Sequence, residues 1–93
     1  MNSTSQTEEI VVFVKPECVQ CDATFKALDK AEHEYEIVDV LEHPDAQKFL
    51  LSEGYLQLPV VIVGRVGRPD EHWSGFRPDR IKEIRNERAL YAA

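Results

Sequence analysis

Two cysteines three positions apart, Cys18 and Cys21, stand between the apolar run Ile10-Val11-Val12-Phe13-Val14 and a segment with helical spacing. That placement constrains the fold more than any other feature of the chain. A continuous β-branched and aromatic run is the pattern of a central strand buried on both faces. Lys15-Pro16-Glu17 breaks it, and Thr24, Ala27, Leu28 and Ala31 then recur at i, i+3, i+4 and i+7, the stripe of a packed helix. The pair therefore opens a helix directly after a buried strand. Both of the chain's 2 cysteines are in this motif, so no structural disulfide framework competes for them. Thiols at this spacing can open and close a disulfide, and the C-x-x-C arrangement lowers the pKa of one sulfur. The bland alternative is half of a zinc site. A structural zinc takes four ligands, and His33 and His43 are not at the finger spacing of about three to five residues. Redox chemistry is the preferred reading, and no metal ligands are assigned.

A chain of 93 residues is expected to build one domain with a modest core. Hydrophobic residues at 43% and charged residues at 30% are ordinary globular composition, with no stretch for a bilayer. Met1 to Glu9 is polar and acidic and lacks a basic n-region and an apolar h-region, so a secretory signal is not expected and a reducing cytoplasm is. Eleven Lys+Arg against 17 Asp+Glu give a net charge of -6, which argues against nucleic acid as the main partner. Protein partners are expected instead. Residues 1–8 read as a polar tail without a role and 89–93 as a second tail, leaving 9–88 as the domain.

Tyr35 to Val40 alternates apolar with charged residues and predicts a second strand nearer the sheet edge, making a right-handed, parallel strand-helix-strand unit with the first. Pro44 and Asp45 can start a second helix, with Ala46, Phe49 and Leu50 on one face and Gly54 in place to end it. Val60 to Val63 reads as a third buried strand entered through Pro59. Gly64 to Asp70 is a turn or long hairpin loop, and the chain returns as a short strand near His72-Trp73. After Gly75, Pro78 fits the first turn of a last helix, with Ile81 and Ile84 on its apolar side, up to about Arg88. His33, His43 and His72 are scattered among charged residues and are expected at the surface.

This β-α-β-α-β-β-α order, with a C-x-x-C opening the first helix and a proline opening the third strand, resembles the thioredoxin fold as glutaredoxins build it. The expected architecture is α/β, a four-stranded mixed sheet with three helices. Cys18-Val19-Gln20-Cys21, Gln57-Leu58-Pro59-Val60-Val61 and Trp73-Ser74-Gly75-Phe76-Arg77-Pro78-Asp79 together resemble the NrdH-redoxins, glutaredoxin-like electron donors to class Ib ribonucleotide reductase. The likeness runs from about Val11 to Ile84. The Gly64 to Glu71 loop, longer than usual for the family, and the polar N-terminal extension depart from it without touching these motifs.

The resemblance implies a protein-disulfide oxidoreductase. Cys18 is the attacking sulfur, favoured as thiolate by the free N–H groups and positive end of the helix, with a pKa near about 7 as in thioredoxin. Cys21 is the shielded, resolving sulfur. Lys15 and Glu17 read first as solvated charges of small effect. The Leu58–Pro59 bond should be cis and should present backbone to a substrate peptide, although cis is found in only about 5–6% of X–Pro bonds and a trans edge proline is the alternative. The implied partner surface comprises Val19, Gln20, Leu58, Pro59, Trp73, Ser74, Gly75, Phe76, Arg77 and Asp79, whereas single-residue statistics would make Trp73 and Phe76 core aromatics and Arg77 and Asp79 a solvated helix start. Tyr55 and Leu56 stand equally as a groove rim or as packing residues. The 73–79 run replaces the Gly-Gly-x-x-Asp element with which glutaredoxins hold glutathione. The implied partners are thioredoxin reductase, which carries the FAD and uses the NADPH, and the large subunit of class Ib ribonucleotide reductase. The chain itself would be a monomer without a cofactor. The competing classes are a glutathione-dependent glutaredoxin or general protein-disulfide reductase, and a non-catalytic binding module that keeps the fold.

Overall fold

The computed structural model describes residues 9–65 and 67–84, and the apolar run of the sequence is strand β1, Glu9–Val14. Ile10, Val12 and Val14 bury one face of it completely, while Val11 and Phe13 on the other are only half-buried. A strand expected to be buried on both faces is thus covered unequally, and the helices are the reason. Helices α1 (Val19–Lys30) and α3 (Pro78–Ile81) supply Cys21, Leu28 and Ile81 to the core on the first face. The 9-residue helix α2 (Pro44–Ser52) covers the second with Leu50 as its buried residue. Phe49, expected beside Leu50 in the core, remains 47% exposed.

Four strands form one mixed sheet in the order β2-β1-β3-β4, with β2 spanning Glu36–Asp39, β3 Val60–Gly64 and β4 Glu71–Ser74. β2 is the parallel neighbour of β1 and lies at the edge as expected. β3 and β4 make an antiparallel hairpin whose inner strand pairs with β1. The register aligns Ile37, Val12, Val61 and Trp73 across the sheet. Pleating then gives these four one face, on which Val12, Val61 and Trp73 are buried in the core with α1 and α3 while Ile37, on the edge strand, is 56% exposed. The element order and the thioredoxin-like topology are those expected from the sequence.

Both long helices end in a Schellman turn. After α2, Gly54 takes φ of 89°, its N–H donates to Leu51 O at 3.0 Å, and the Tyr55 N–H donates to Leu50 O at 3.0 Å. Tyr55 then packs against the Leu50 cluster, the hydrophobic contact such turns favour. After α1 the left-handed position is Glu32, φ 63°, followed by a bond from the His33 N–H to Leu28 O at 3.0 Å. This corrects one expectation. His33 is 8% exposed rather than a surface residue, because it follows the left-handed residue of the turn, where a side chain folds back toward the helix. No glycine or asparagine marks that turn in the sequence. Tyr35 stacks on Phe25 with ring centres 5.7 Å apart and donates its hydroxyl to Asp29 Oδ1 at 2.8 Å, tying the entry of β2 to α1. Burial first, then that hydrogen bond, pushes the Tyr35 phenol up to about 12.

The third helix, expected to reach about Arg88, ends at Ile81 with a further turn through Ile84, and both isoleucines are buried. Residues 85–88 and both expected tails lie outside the described residues. Among the described residues no helix is long and apolar enough to cross a membrane.

Candidate functional site

Glu17, with φ of 57°, turns the chain out of β1, and Cys18 follows as the N-cap of α1 with extended backbone, φ -118° and ψ 105°. A sulfur thus stands where an Asp or Ser oxygen commonly stands. Its Sγ accepts the Cys21 N–H at 3.2 Å. Cys18 and Cys21 are joined as a disulfide with Cα atoms 5.2 Å apart. In the reduced pair the same N–H and the positive helix end would favour negative charge on Cys18 Sγ. Cys21, one turn inside, is 2% exposed and Cys18 9%, so an approaching sulfur meets Cys18 first. Lys15 and Glu17 are exposed, as expected of solvated charges.

The Leu58–Pro59 bond is cis, as the family resemblance implies. Leu58 O lies 3.9 Å from Cys18 Sγ, which sets the backbone ahead of β3 directly beside the sulfur. The third motif is stitched to the other two. The Gly75 N–H donates to Pro59 O at 2.8 Å, Ser74 Oγ donates to Gln57 O at 3.2 Å, and the Phe76 N–H donates to Gln20 Oε1 at 2.9 Å. Gly75 has φ of 84°, a conformation that favours glycine, and a Cβ there would press on Gln20 Oε1 at 3.2 Å. Three stretches far apart in sequence therefore form one surface around Cys18.

Its members differ in what they expose. Val19 is 83% and Phe76 36% exposed, the apolar margin of the site. Trp73 is buried in the main core, so its side chain anchors the segment rather than facing solvent. Arg77 and Asp79 are exposed and pair with each other, Nε to Oδ1 at 3.1 Å and Nη2 to Oδ2 at 2.8 Å. The hydrogen bonding from Arg77 holds the Asp79 carboxyl below its ordinary range, and the same bonds raise the Arg77 guanidinium.

Two features escape sequence reasoning. Arg80 lies over the Trp73 ring at 5.0 Å and reaches Glu71 Oε1 at 3.5 Å, while Arg65 holds Glu71 Oε2 at 3.0 Å, so the hairpin and α3 are clamped through one carboxylate. The Tyr55 hydroxyl is hydrogen-bonded to Nδ1 of His72, an exposed histidine on β4. Neither pairing has a spacing that could announce it. An open pocket of about 250 Å³ adjoins Leu58 on the α2 side and includes Tyr55 and Leu56 in its wall. Among the described residues no group of three His, Cys, Asp or Glu side chains could hold a metal ion.

Fold and site together define a thiol–disulfide oxidoreductase of the thioredoxin fold. The Glutaredoxin family profile matches residues 10–67. The chain is 40% identical over 75 residues to the glutaredoxin-like protein NrdH of Escherichia coli (strain K12), covering 81% of this chain and 86% of the relative. It is 43% identical, with the same coverage, to the NrdH of Salmonella typhimurium. The solved NrdH-redoxin from Escherichia coli superposes with a TM-score of 0.75 at 37% identity, over 84% of this chain and 96% of that one. A glutaredoxin from Archaeoglobus fulgidus, 20% identical with a TM-score of 0.63 over 83% of this chain and 85% of its own, shares the fold. The chain belongs to the NrdH-type redoxins of the glutaredoxin family.

Proposed function

We propose that this protein is a dithiol electron carrier that takes electrons from NADPH through thioredoxin reductase and delivers them to the disulfide of class Ib ribonucleotide reductase. Cys18 thiolate attacks one sulfur of the partner disulfide, forming a mixed disulfide and releasing the other partner sulfur, which takes up a proton. Cys21 then loses its proton and attacks Cys18 Sγ, releasing the second partner thiol and closing Cys18–Cys21. Two electrons and two protons have passed to the partner, and the reductase returns both to the cysteine pair. The chain works as a monomer in the cytoplasm and needs no cofactor, since FAD and NADPH belong to the reductase. Val19, Gln20, Leu58, Pro59, Ser74, Gly75, Phe76, Arg77 and Asp79 bind the partner, with Trp73 holding their segment from below.

The observation that carries this reading is the bond between Gln20 Oε1 and the Phe76 N–H at 2.9 Å. It ties the 73–79 segment, which by family resemblance stands in place of the glutathione-holding Gly-Gly-x-x-Asp element, to the helix that carries the cysteine pair, and a half-exposed phenylalanine supports a protein partner over glutathione. The thioredoxin-like activity profile of the Escherichia coli NrdH-redoxin points the same way. A comparison of reductants tests it. With a protein disulfide as acceptor, thioredoxin reductase should support NADPH oxidation and glutathione with glutathione reductase should not; the opposite pattern would make the protein a glutathione-dependent glutaredoxin.

Arg77→Ala separates docking from packing. The side chain is exposed and pairs only two residues along the chain with Asp79, so the melting temperature should stay unchanged while KM for ribonucleotide reductase rises with kcat little altered. Unchanged kinetics would remove Arg77 from the partner surface.

A further inference from the structure

We infer that Tyr55 and His72 are positioning residues for disulfide exchange: their side-chain bond fixes the loop ahead of β3 against β4 and so sets the Leu58 carbonyl at its place beside Cys18. The inference rests on the thiol–disulfide exchange described above, and it adds two residues that lie outside the three family motifs. The Tyr55 hydroxyl is hydrogen-bonded to Nδ1 of His72, and the two rings stand edge to face with their centres 5.7 Å apart.

That bond belongs to a series. Tyr55 meets His72, Gln57 O accepts Ser74 Oγ at 3.2 Å and Pro59 O accepts the Gly75 N–H at 2.8 Å, so residues 55, 57 and 59 are held in order by 72, 74 and 75. His72 and Ser74 alternate with Trp73 and therefore share the α2 face of β4, where the residues they pair with in the sheet, Ile62 and Val60, belong to the Leu50 cluster. The strand end of these bonds is rigid. Trp73 is buried in the main core, and Glu71 is held by Arg65 at 3.0 Å and by Arg80 at 3.5 Å. The loop end starts from a fixed point, since the Tyr55 N–H donates to Leu50 O at 3.0 Å. Between Tyr55 and Leu58, however, burial does not hold it: Leu56 is 87% exposed and Gln57 is exposed too. A stretch with so few apolar contacts opens locally at small cost unless polar bonds fasten it.

The consequence is one of position more than of stability. His72 is exposed and Tyr55 half-buried, and a hydrogen bond between groups that water can reach adds little to the stability of the whole fold. Leu58 follows Tyr55 closely, and its carbonyl is 3.9 Å from Cys18 Sγ, so a loop released at Tyr55 spends part of its time with that carbonyl out of place. A partner that needs the carbonyl there then binds with an affinity lowered by the fraction of time the loop is in register. The pair acts through Leu58 and not on the sulfurs.

Pre-reduced full-length protein tests this on two acceptors: insulin, a protein disulfide whose chain must lie along the loop, and the small disulfide of thionitrobenzoate, which needs only the sulfur. Tyr55→Phe keeps the ring and removes the hydroxyl. His72→Ala removes the acceptor, and His72→Asn keeps an amide oxygen close to where Nδ1 stands. Tyr55→Phe and His72→Ala should each raise the half-saturating insulin concentration by about two- to tenfold, the factor that corresponds to one neutral hydrogen bond. The maximal rate should not change. Both substitutions together should do no more than either alone, because they break the same bond. His72→Asn should restore the wild-type value, and the thionitrobenzoate rate should be the same in every variant. The amide signals of Leu58 and Cys18 in 15N spectra should move in His72→Ala and return in His72→Asn. Unchanged insulin kinetics in the two single variants would overturn the inference, as would His72→Asn behaving like His72→Ala. Equal losses on both acceptors that follow a drop in melting temperature would also overturn it, making the bond structural only. A wild-type protein that reduces neither acceptor, with the amide shifts as expected, would overturn the exchange reading instead and leave the tie as a feature of the loop alone.

Discussion

Cys18→Ser should abolish turnover with every disulfide acceptor, while Cys21→Ser should still attack once and stop as a mixed disulfide. The asymmetry follows from the helix start. Cys18 is the N-cap and accepts the Cys21 N–H, so a negative sulfur there is met by a backbone donor and by the helix dipole. A serine hydroxyl could occupy the same cap, so the fold should survive the substitution, but the nucleophile would be gone. Cys21 is enclosed and bonded to the sulfur of Cys18. Its loss removes resolution, not attack. Non-reducing mass spectrometry after mixing each variant with a partner disulfide decides the roles: a trapped adduct on Cys18→Ser and none on Cys21→Ser would reverse them.

Trp73→Ala should lower stability by about 3–5 kcal/mol, the usual cost of deleting a buried large aromatic. Trp73 is 4% exposed, pairs with Val61 in the sheet, belongs to the main core cluster and carries Arg80 over its ring. That cost is a large part of the roughly 5–15 kcal/mol by which a domain is stable. Urea unfolding measures it. A change below about 1 kcal/mol, within the ordinary range for non-core sites, would mean that the tryptophan serves the partner rather than the core. The contrast with Arg77→Ala is informative because both residues come from one motif. Family likeness alone gives them one role, and burial divides them.

Much of the fold was legible because local pattern and tertiary structure agree. The apolar runs at 10–14 and 60–63 are the two inner strands, and Gly54 closes α2 at the position its lack of a side chain favours. Phe49 and His33 were misplaced for physical reasons. Periodicity assigns a face to a helix without saying how much sheet lies beneath it, and α2 buries only Leu50. A Schellman turn with glutamate in the left-handed position buries the following residue without any compositional mark. At the site, the thiols and the cis proline were readable from motif. The bonds joining them were not, since Gln20 and Phe76 are 56 positions apart and meet only through the sheet order. The apolar pocket was half visible as Tyr55 and Leu56; Lys15 and Leu41 join it only in three dimensions.

Complete reconstitution tests the central claim most directly. NADPH, thioredoxin reductase, this protein and a class Ib ribonucleotide reductase are combined without glutathione, and deoxyribonucleotide is counted against NADPH consumed. The account predicts sustained turnover at one NADPH per deoxyribonucleotide, dependent on both Cys18 and Cys21. Turnover that appears only when glutathione and glutathione reductase replace thioredoxin reductase would contradict it.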